Sequence, residues 1–249
     1  MRFFKNFLKA ANGILTVAVA ALLLLAGVYS VYSIWDNSTV YAEVDEAMAG
    51  LMEHKPETEG DIEASFEELR AINKDVCAWL TLDGTKIDYP IVQGENNLTY
   101  INKNIYGEFA LSGSIYLDSY CDSSFASQYS LLYGHHMAER KMFGDLDLYR
   151  EKTFFDNNTT GTLTLPDKTC RLDIFACIEV SASDEYIFYT SRWKDDNSGL
   201  LDYVLTNDGL INSRVPILTD GSGILAMSTC SSDYTDARLV LLAVMIPNP

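Results

Sequence analysis

Histidine is scarce in this chain: His54, His135 and His136 are the only three among 249 residues. With so few imidazoles, scattered carboxylates and no C-x-x-C pair, no spacing defines a metal site. Cations are also in short supply. Eighteen Lys and Arg stand against 35 Asp and Glu, a formal net charge of −17. That balance argues against nucleic acid, whose phosphates would be repelled. No internal repeat appears, and no low-complexity tract beyond the N-terminal apolar run. The five cysteines are Cys77, Cys121, Cys170, Cys177 and Cys230, an odd number that cannot all pair internally. Cys170 and Cys177 lie seven positions apart on one strand-like stretch, so strict alternation puts them on opposite faces, unable to bridge. A free cysteine is more often buried filler than a nucleophile, and Cys77 reads as a small core residue.

The apolar run is what the N-terminus has instead of charge. Gly13 to Trp35 contains no ionisable residue apart from Tyr29 and Tyr32, and is dominated by Ala, Val, Leu and Ile. A helix of roughly 20 such residues crosses a bilayer core. Arg2, Lys5 and Lys9 precede it, and Asp36, Glu43, Asp45 and Glu46 follow. The basic flank is expected to stay in the cytoplasm and the rest to be exported. A cleaved signal peptide is the rival, with Val40-Tyr41-Ala42 as a passable cleavage site, but the run exceeds the roughly 7–15 residues of a signal core. The expected organisation is a cytoplasmic tip at 1–12, a transmembrane anchor at 13–35, a polar acidic stalk at 36–61 and one catalytic domain at 62–249. One domain of ordinary size is what the remaining length allows.

Along the exported part, Ser65-Phe66-Glu67-Glu68 matches a capping box and starts a helix expected to run to about Asn73. Strand character follows at Trp79–Leu82, at Lys86–Val92 with Pro90 hinting at an edge or bulge, at Gly113–Asp118 and at Tyr129–His135. Met142, Phe143, Leu146 and Tyr149 indicate a short helix. Further strands are expected at Gly161–Leu165, Thr169–Val180, Val215–Thr219, Ile224–Cys230 and Ala237–Ile246. A helix at Leu200–Leu205, capped by Asn197 or Ser198, interrupts them. Many short strands with turns between them favour a barrel or a sandwich. The last strand is apolar on both faces, which suits a closed sheet partly covered outside by helices.

The chemistry concentrates near the C-terminus. Gly223-Ile224-Leu225-Ala226-Met227-Ser228-Thr229-Cys230 is a buried apolar run ending in a thiol, and Arg238 opens the next strand. The thiolate is the nucleophile, and a free thiol with a pKa of about 8.5 needs nearby positive charge to supply it at neutral pH. The candidate base lies upstream in Tyr133-Gly134-His135-His136. Neighbours on an extended segment point to opposite faces, so only one of the two histidines can face a common groove. Blander readings stand beside each: Arg238 as an ion-pair partner of Asp233 or Asp236, Ser228 as strand packing, His136 in place of His135. His54 falls in the stalk with no partner nearby in sequence.

The order His135, Cys230, Arg238 resembles the sortases, the cysteine transpeptidases of Gram-positive surfaces. Their signature T-L-x-T-C aligns with Ala226-Met227-Ser228-Thr229-Cys230, which keeps the Thr-Cys pair and departs at the first two positions. The resemblance is to the class B branch and extends through Ile72–Leu80, Ile87–Gly94, Gly113–Asp118, Tyr133-Gly134-His135, Met142–Leu146 and the helix at Leu200–Leu205. It covers about residues 62–246. It implies a mostly β fold, a closed eight-stranded barrel with an N-terminal helix and a helix before the last strands, preceded by one transmembrane helix. It implies that Cys230, His135 and Arg238 sit at one end of a groove, with Ser228 and the Tyr186-Ile187 pair holding a sorting peptide, and no cofactor or metal. Cys230 would attack a Thr carbonyl in a C-terminal sorting motif of a secreted protein, and a peptidoglycan amine would open the thioester. His135 would move the protons, and Arg238 would hold the oxyanion or the substrate backbone. The acceptor stays open between a glycine bridge, a diaminopimelate side chain and a pilin lysine. Two rivals come from elsewhere. An exported cysteine peptidase acting on wall peptides would share Cys and His, but there the Cys usually opens a helix and precedes the His. A tethered, non-catalytic β-domain would not need Cys230 at all.

Overall fold

The computed structural model describes residues 2–57, 60–218, 222–230 and 236–248, with the main chain alone at Cys230. Two compact units emerge, 1–43 and 44–249. The first consists of most of helix α1 (Arg2–Met52). An 18-residue stretch of α1 has a mean hydropathy of 2.5 and is wholly unburied, so the helix is long and apolar enough to cross a membrane.

Among the described residues, ten strands build the second unit. They are β1 (Val76–Leu82), β2 (Asp88–Val92), β3 (Ile115–Leu117), β4 (Tyr129–Met137), β5 (Lys141–Met142), β6 (Thr160–Thr164), β7 (Thr169–Ser181), β8 (Leu210–Ser213), β9 (Gly223–Cys230) and β10 (Ala237–Pro247). Eight of them close in the order β10-β9-β4-β3-β2-β1-β6-β7, with β7 pairing back to β10. The β2/β3 and β4/β9 pairs are parallel and the other barrel pairs antiparallel. Closure removes the exposed edges that an open sheet would present. Strand β8 flanks β7, and β5 folds back on β4.

The double apolarity of β10 is explained by what covers each side. Leu239, Leu241, Ala243 and Met245 join the barrel interior with Leu80, Ile91, Leu132 and Leu225. Val240, Leu242 and Val244 belong to an outer layer with Ile224, Ala226, Ile187, Leu200 and Val204. That layer is roofed by α4 (Glu185–Phe188) and α5 (Ser198–Thr206). On another side of the barrel, Phe66 and Leu69 of α2 (Ile62–Ile72) pack with Trp79, Val92 and Tyr116. A six-residue helix, α3 (Lys152–Asn157), precedes β6.

Several local expectations are corrected. Helix α2 starts at Ile62, and its N-cap is Asp61, whose carboxylate accepts from the Ala64 amide at 3.0 Å. The Ser65–Glu68 box therefore lies inside the helix, past its start. The segment expected as a polar stalk is helical as far as Met52. Val44, Met48 and Leu51 repeat there at helical spacing, with Val44 and Leu51 buried. Val215–Leu218 is not a strand: Val215 is 87% and Ile217 72% exposed. Thr219, the last residue of that expected strand, lies outside the described residues. The neighbouring strand is β8, which takes the free flank of β7 beyond β6. Cys170 and Cys177 both face the barrel interior. The register of β7 against β10 slips between Leu242 and Ala243, and this bulge resets the alternation so that Cys170, Leu172, Ile174 and Cys177 share one face. Pro90 lies inside β2, but β3 pairs only with Ile91 and Val92. The missing N–H of Pro90 therefore removes no ladder bond on the β3 side.

Candidate active site

The three residues singled out for chemistry converge at one rung of the sheet. Cys230 is opposite His135 across the parallel β4/β9 pair and opposite Arg238 across the antiparallel β9/β10 pair. Local sequence explains why these ladders end here. Strands β4 and β9 are buried and, Ser130 apart, apolar up to Leu132 and Met227, and polar side chains become frequent in the last residues of each. Gly134, immediately before the histidine, faces inward so tightly that a Cβ would sit 2.4 Å from Ile115 Cδ1 and 2.7 Å from Phe143 Cδ2. A larger residue there would require Ile115 or Phe143 to shift.

His135 is half-buried. Its Nε2 is 2.6 Å from the main-chain oxygen of Ile101. His136 faces away, as alternation requires, with its Nε2 2.6 Å from Asp147 Oδ2. Hydrogen bonding to His136 holds the Asp147 carboxyl below the usual carboxylate range. The turn from β4 into β5 is secured by Arg140. Its guanidinium grips the fully buried Asp145 carboxylate with two bonds, at 2.6 and 2.8 Å, and Asp145 also accepts from the Lys86 amide at 2.6 Å. His54 finds a partner that its sequence neighbours did not offer: Nδ1 lies 2.8 Å from Glu68 on α2.

Arg238 is half-buried, and Nη1 donates to the Ala237 carbonyl at 3.2 Å. Among the described residues it has no carboxylate partner. The Asp236 carboxylate instead accepts from the Ser181 hydroxyl at 2.8 Å, and Asp233 lies outside the described residues. Ser228, one rung back from Cys230, pairs with Tyr133 and Val240. It is 1% exposed, and its Oγ finds no hydrogen-bond partner among the described residues. Leaving a buried hydroxyl unpaired costs about 1–3 kcal/mol, the kind of cost that a bound ligand can relieve.

Tyr186 and Ile187 both lie on α4, which Asp184 caps by accepting from both their amides at 2.9 and 3.0 Å. Tyr186 is 44% exposed. It stacks on Tyr203 with ring centroids 4.4 Å apart and carries the Arg192 guanidinium 4.7 Å from its own centroid. Ile187 is fully buried, and its carbonyl accepts from the Tyr129 hydroxyl at 2.9 Å. Phe188 stacks on Tyr133, so α4 is docked beside the rung that holds Ser228.

A polar hub beneath this region escaped the sequence reading. Asp118 is 1% exposed. Its carboxylate accepts from Asn97 Nδ2 at 2.7 Å, the Tyr120 amide at 2.9 Å, the Tyr133 hydroxyl at 3.0 Å and Thr190 Oγ1 at 3.2 Å. Neutral donors thus satisfy a buried anion and tie four chain segments together. Burial and the neighbouring Asp118 charge drive the Tyr133 hydroxyl upward, so it stays protonated as a donor. The only signal in the sequence was Asp118 closing the strand-like Gly113–Asp118 stretch.

No protein-family model matches the chain. Sortase B of Staphylococcus aureus is 29% identical over 187 residues, 74% of this chain and 76% of that protein. Sortase B of Listeria monocytogenes is 27% identical over 248 residues, 97% of this chain and 98% of that one. A solved class B sortase from Streptococcus pyogenes, described as involved in pilus biogenesis, is 41% identical, with a TM-score of 0.65. The match covers 72% of this chain and 97% of that one. The chain belongs to the class B sortases. The expected closed eight-stranded barrel, with its helix before the last strands, is the fold observed. Sortases are cysteine transpeptidases, so the enzyme reading holds, and a non-catalytic β-domain is set aside.

Proposed function

We propose that this sortase is anchored in the membrane by α1 with its catalytic domain outside the cell. There it would cut a C-terminal sorting motif of secreted proteins and join them to a peptidoglycan amine. The observation that carries the reading is the shared rung of His135, Cys230 and Arg238. The Cys230 thiolate attacks the carbonyl carbon of the motif's Thr. The tetrahedral intermediate places its negative charge on oxygen, where the Arg238 guanidinium supplies a fixed cation with several donors. The C–N bond then breaks, and His135 gives its proton to the leaving amine. A thioester remains on Cys230. The amine of the wall precursor attacks it, His135 takes the amine's proton, and the thiolate leaves with a new amide formed. Ser228, with its unsatisfied hydroxyl, and exposed Tyr186 are assigned to the sorting peptide. Buried Ile187 contributes by seating α4.

The test is a peptide-library cleavage assay with candidate amines present and absent. Mass spectrometry should find a thioester adduct on Cys230, and an amide product only when an amine is supplied. Cys230→Ala should abolish the adduct. Arg238→Ala should fold but lose on the order of 10²–10³ in rate. Cleavage unaffected by Cys230→Ala overturns the mechanism. Hydrolysis with no transfer to any amine favours the exported peptidase reading.

One observation favours a second reading of the acceptor. The 41% identical Streptococcus pyogenes enzyme is described as involved in pilus biogenesis. A pilin lysine in place of the peptidoglycan amine would fit that likeness, and lysine-bearing peptides in the same assay separate the two.

A further inference from the structure

We propose that the main-chain carbonyl of Ile101 orients His135, and that Gly113 is the positioning residue that lets it do so. The inference rests on the acid–base role assigned to His135 above. A carbonyl oxygen only accepts, so the 2.6 Å contact requires the hydrogen on Nε2. In the neutral ring Nδ1 then carries the lone pair and is the nitrogen that exchanges a proton at the site. Among the described residues no carboxylate pairs with His135; Asp147 pairs with His136 instead. A neutral carbonyl stabilises the imidazolium less than a carboxylate does, which suits a ring that must both give and take a proton.

The connection between β2 and β3 is built to aim that carbonyl. Its neighbours on either side are engaged elsewhere. Tyr100 O accepts from the Ser114 amide at 3.1 Å, Asn102 O from the Ala110 amide at 3.1 Å, and Lys103 O from the Ser114 hydroxyl at 2.8 Å. The Tyr100 hydroxyl donates to Asp75 at 2.8 Å and so pins the start of the segment to the residue before β1. Gly113 packs directly against the back of this turn. Its φ is +58°, and a Cβ there would lie 2.4 Å from Ile101 O and 2.8 Å from Tyr100 O. Any side chain at 113 would therefore displace the Ile101 oxygen from its present place 2.6 Å from the imidazole, besides straining its own backbone.

The experiment uses the full chain in detergent micelles with 15N-labelled histidine. Three histidines are readily assigned from His54→Gln and His136→Gln. At a pH where imidazole is neutral, His135 should show a single tautomer protonated at Nε2. Gly113→Ala should convert this to a tautomer mixture and lower kcat for peptide cleavage about 10²-fold, with KM little changed. A wild-type His135 protonated at Nδ1, or already a mixture, overturns the proposal. So does a Gly113→Ala protein that keeps both the signature and kcat. Should that variant fail to fold, the wild-type tautomer decides alone. A single Nε2-protonated tautomer in a protein that cleaves no peptide supports the orienting contact and refutes the transpeptidase role.

Discussion

Four of the five cysteines are held as thiols by their surroundings. Burial pushes Cys77 and Cys177 up to about 12 and Cys121 up to about 11, and raises Cys170 as well. At neutral pH roughly one Cys121 thiol in 10⁴ is ionised, and fewer still of the two most strongly shifted ones. Nucleophilicity follows the thiolate, so these four should be inert toward alkylation in the folded protein. Iodoacetamide at neutral pH should add one group per chain, at Cys230, and activity should fall in step with that modification. The other four should react only after denaturation. Activity that survives complete labelling of Cys230 would exclude it as the nucleophile. The sequence marked Cys230 because a thiol at a strand end, close before an arginine, has a chemical reason to be there. It could not rank the remaining thiols, since their protection comes from strands far away in the chain: Cys77 bonds to the Ile91 carbonyl of β2, at 3.5 Å.

The end of α1 is the element whose role is most open to a stability measurement. Val44 and Leu51 are almost fully buried, and Met48 packs between them. Burying each of the first two contributes about 1.5–3 kcal/mol, so a chain beginning at residue 62 should be roughly 3–6 kcal/mol less stable than one beginning at 44. Urea unfolding of the two chains measures the difference, and equal midpoints would mean that the helix end does not belong to the domain. This stripe was hidden in the sequence because acidic residues surround its three apolar positions, and the composition read as a stalk. The strands of the barrel were legible wherever alternation or a continuous apolar run persisted, as in β4, β9 and β10. Alternation failed at β7, where one bulge moves Cys177 onto the face of Cys170. It failed again at Val215–Leu218, where β-branched residues lie in an exposed, irregular segment with no strand to pair with. Propensity describes a fit to a half-buried pleated surface, and that segment has no such surface.

At the scale of the whole molecule, charge and hydropathy are distributed along one direction of the chain. Three cations precede the apolar run, and 35 acidic residues, all beyond it, outnumber the 15 cations that follow. Cationic flanks resist translocation and acidic ones do little to oppose it, so the N-terminus should remain inside and the acidic domain should be carried out. The proposed chemistry needs the same orientation, because the sorting motif and the wall amine assigned to it would meet only on the outer side of the membrane. Protease added to intact cells should therefore degrade the 44–249 unit while sparing the first twelve residues, with cytoplasmic proteins intact as the control for lysis. Moving Arg2, Lys5 and Lys9 to the other flank should reverse the result. Full protection of the domain in unmodified cells would contradict both the charge argument and the assignment of its substrates to the cell surface.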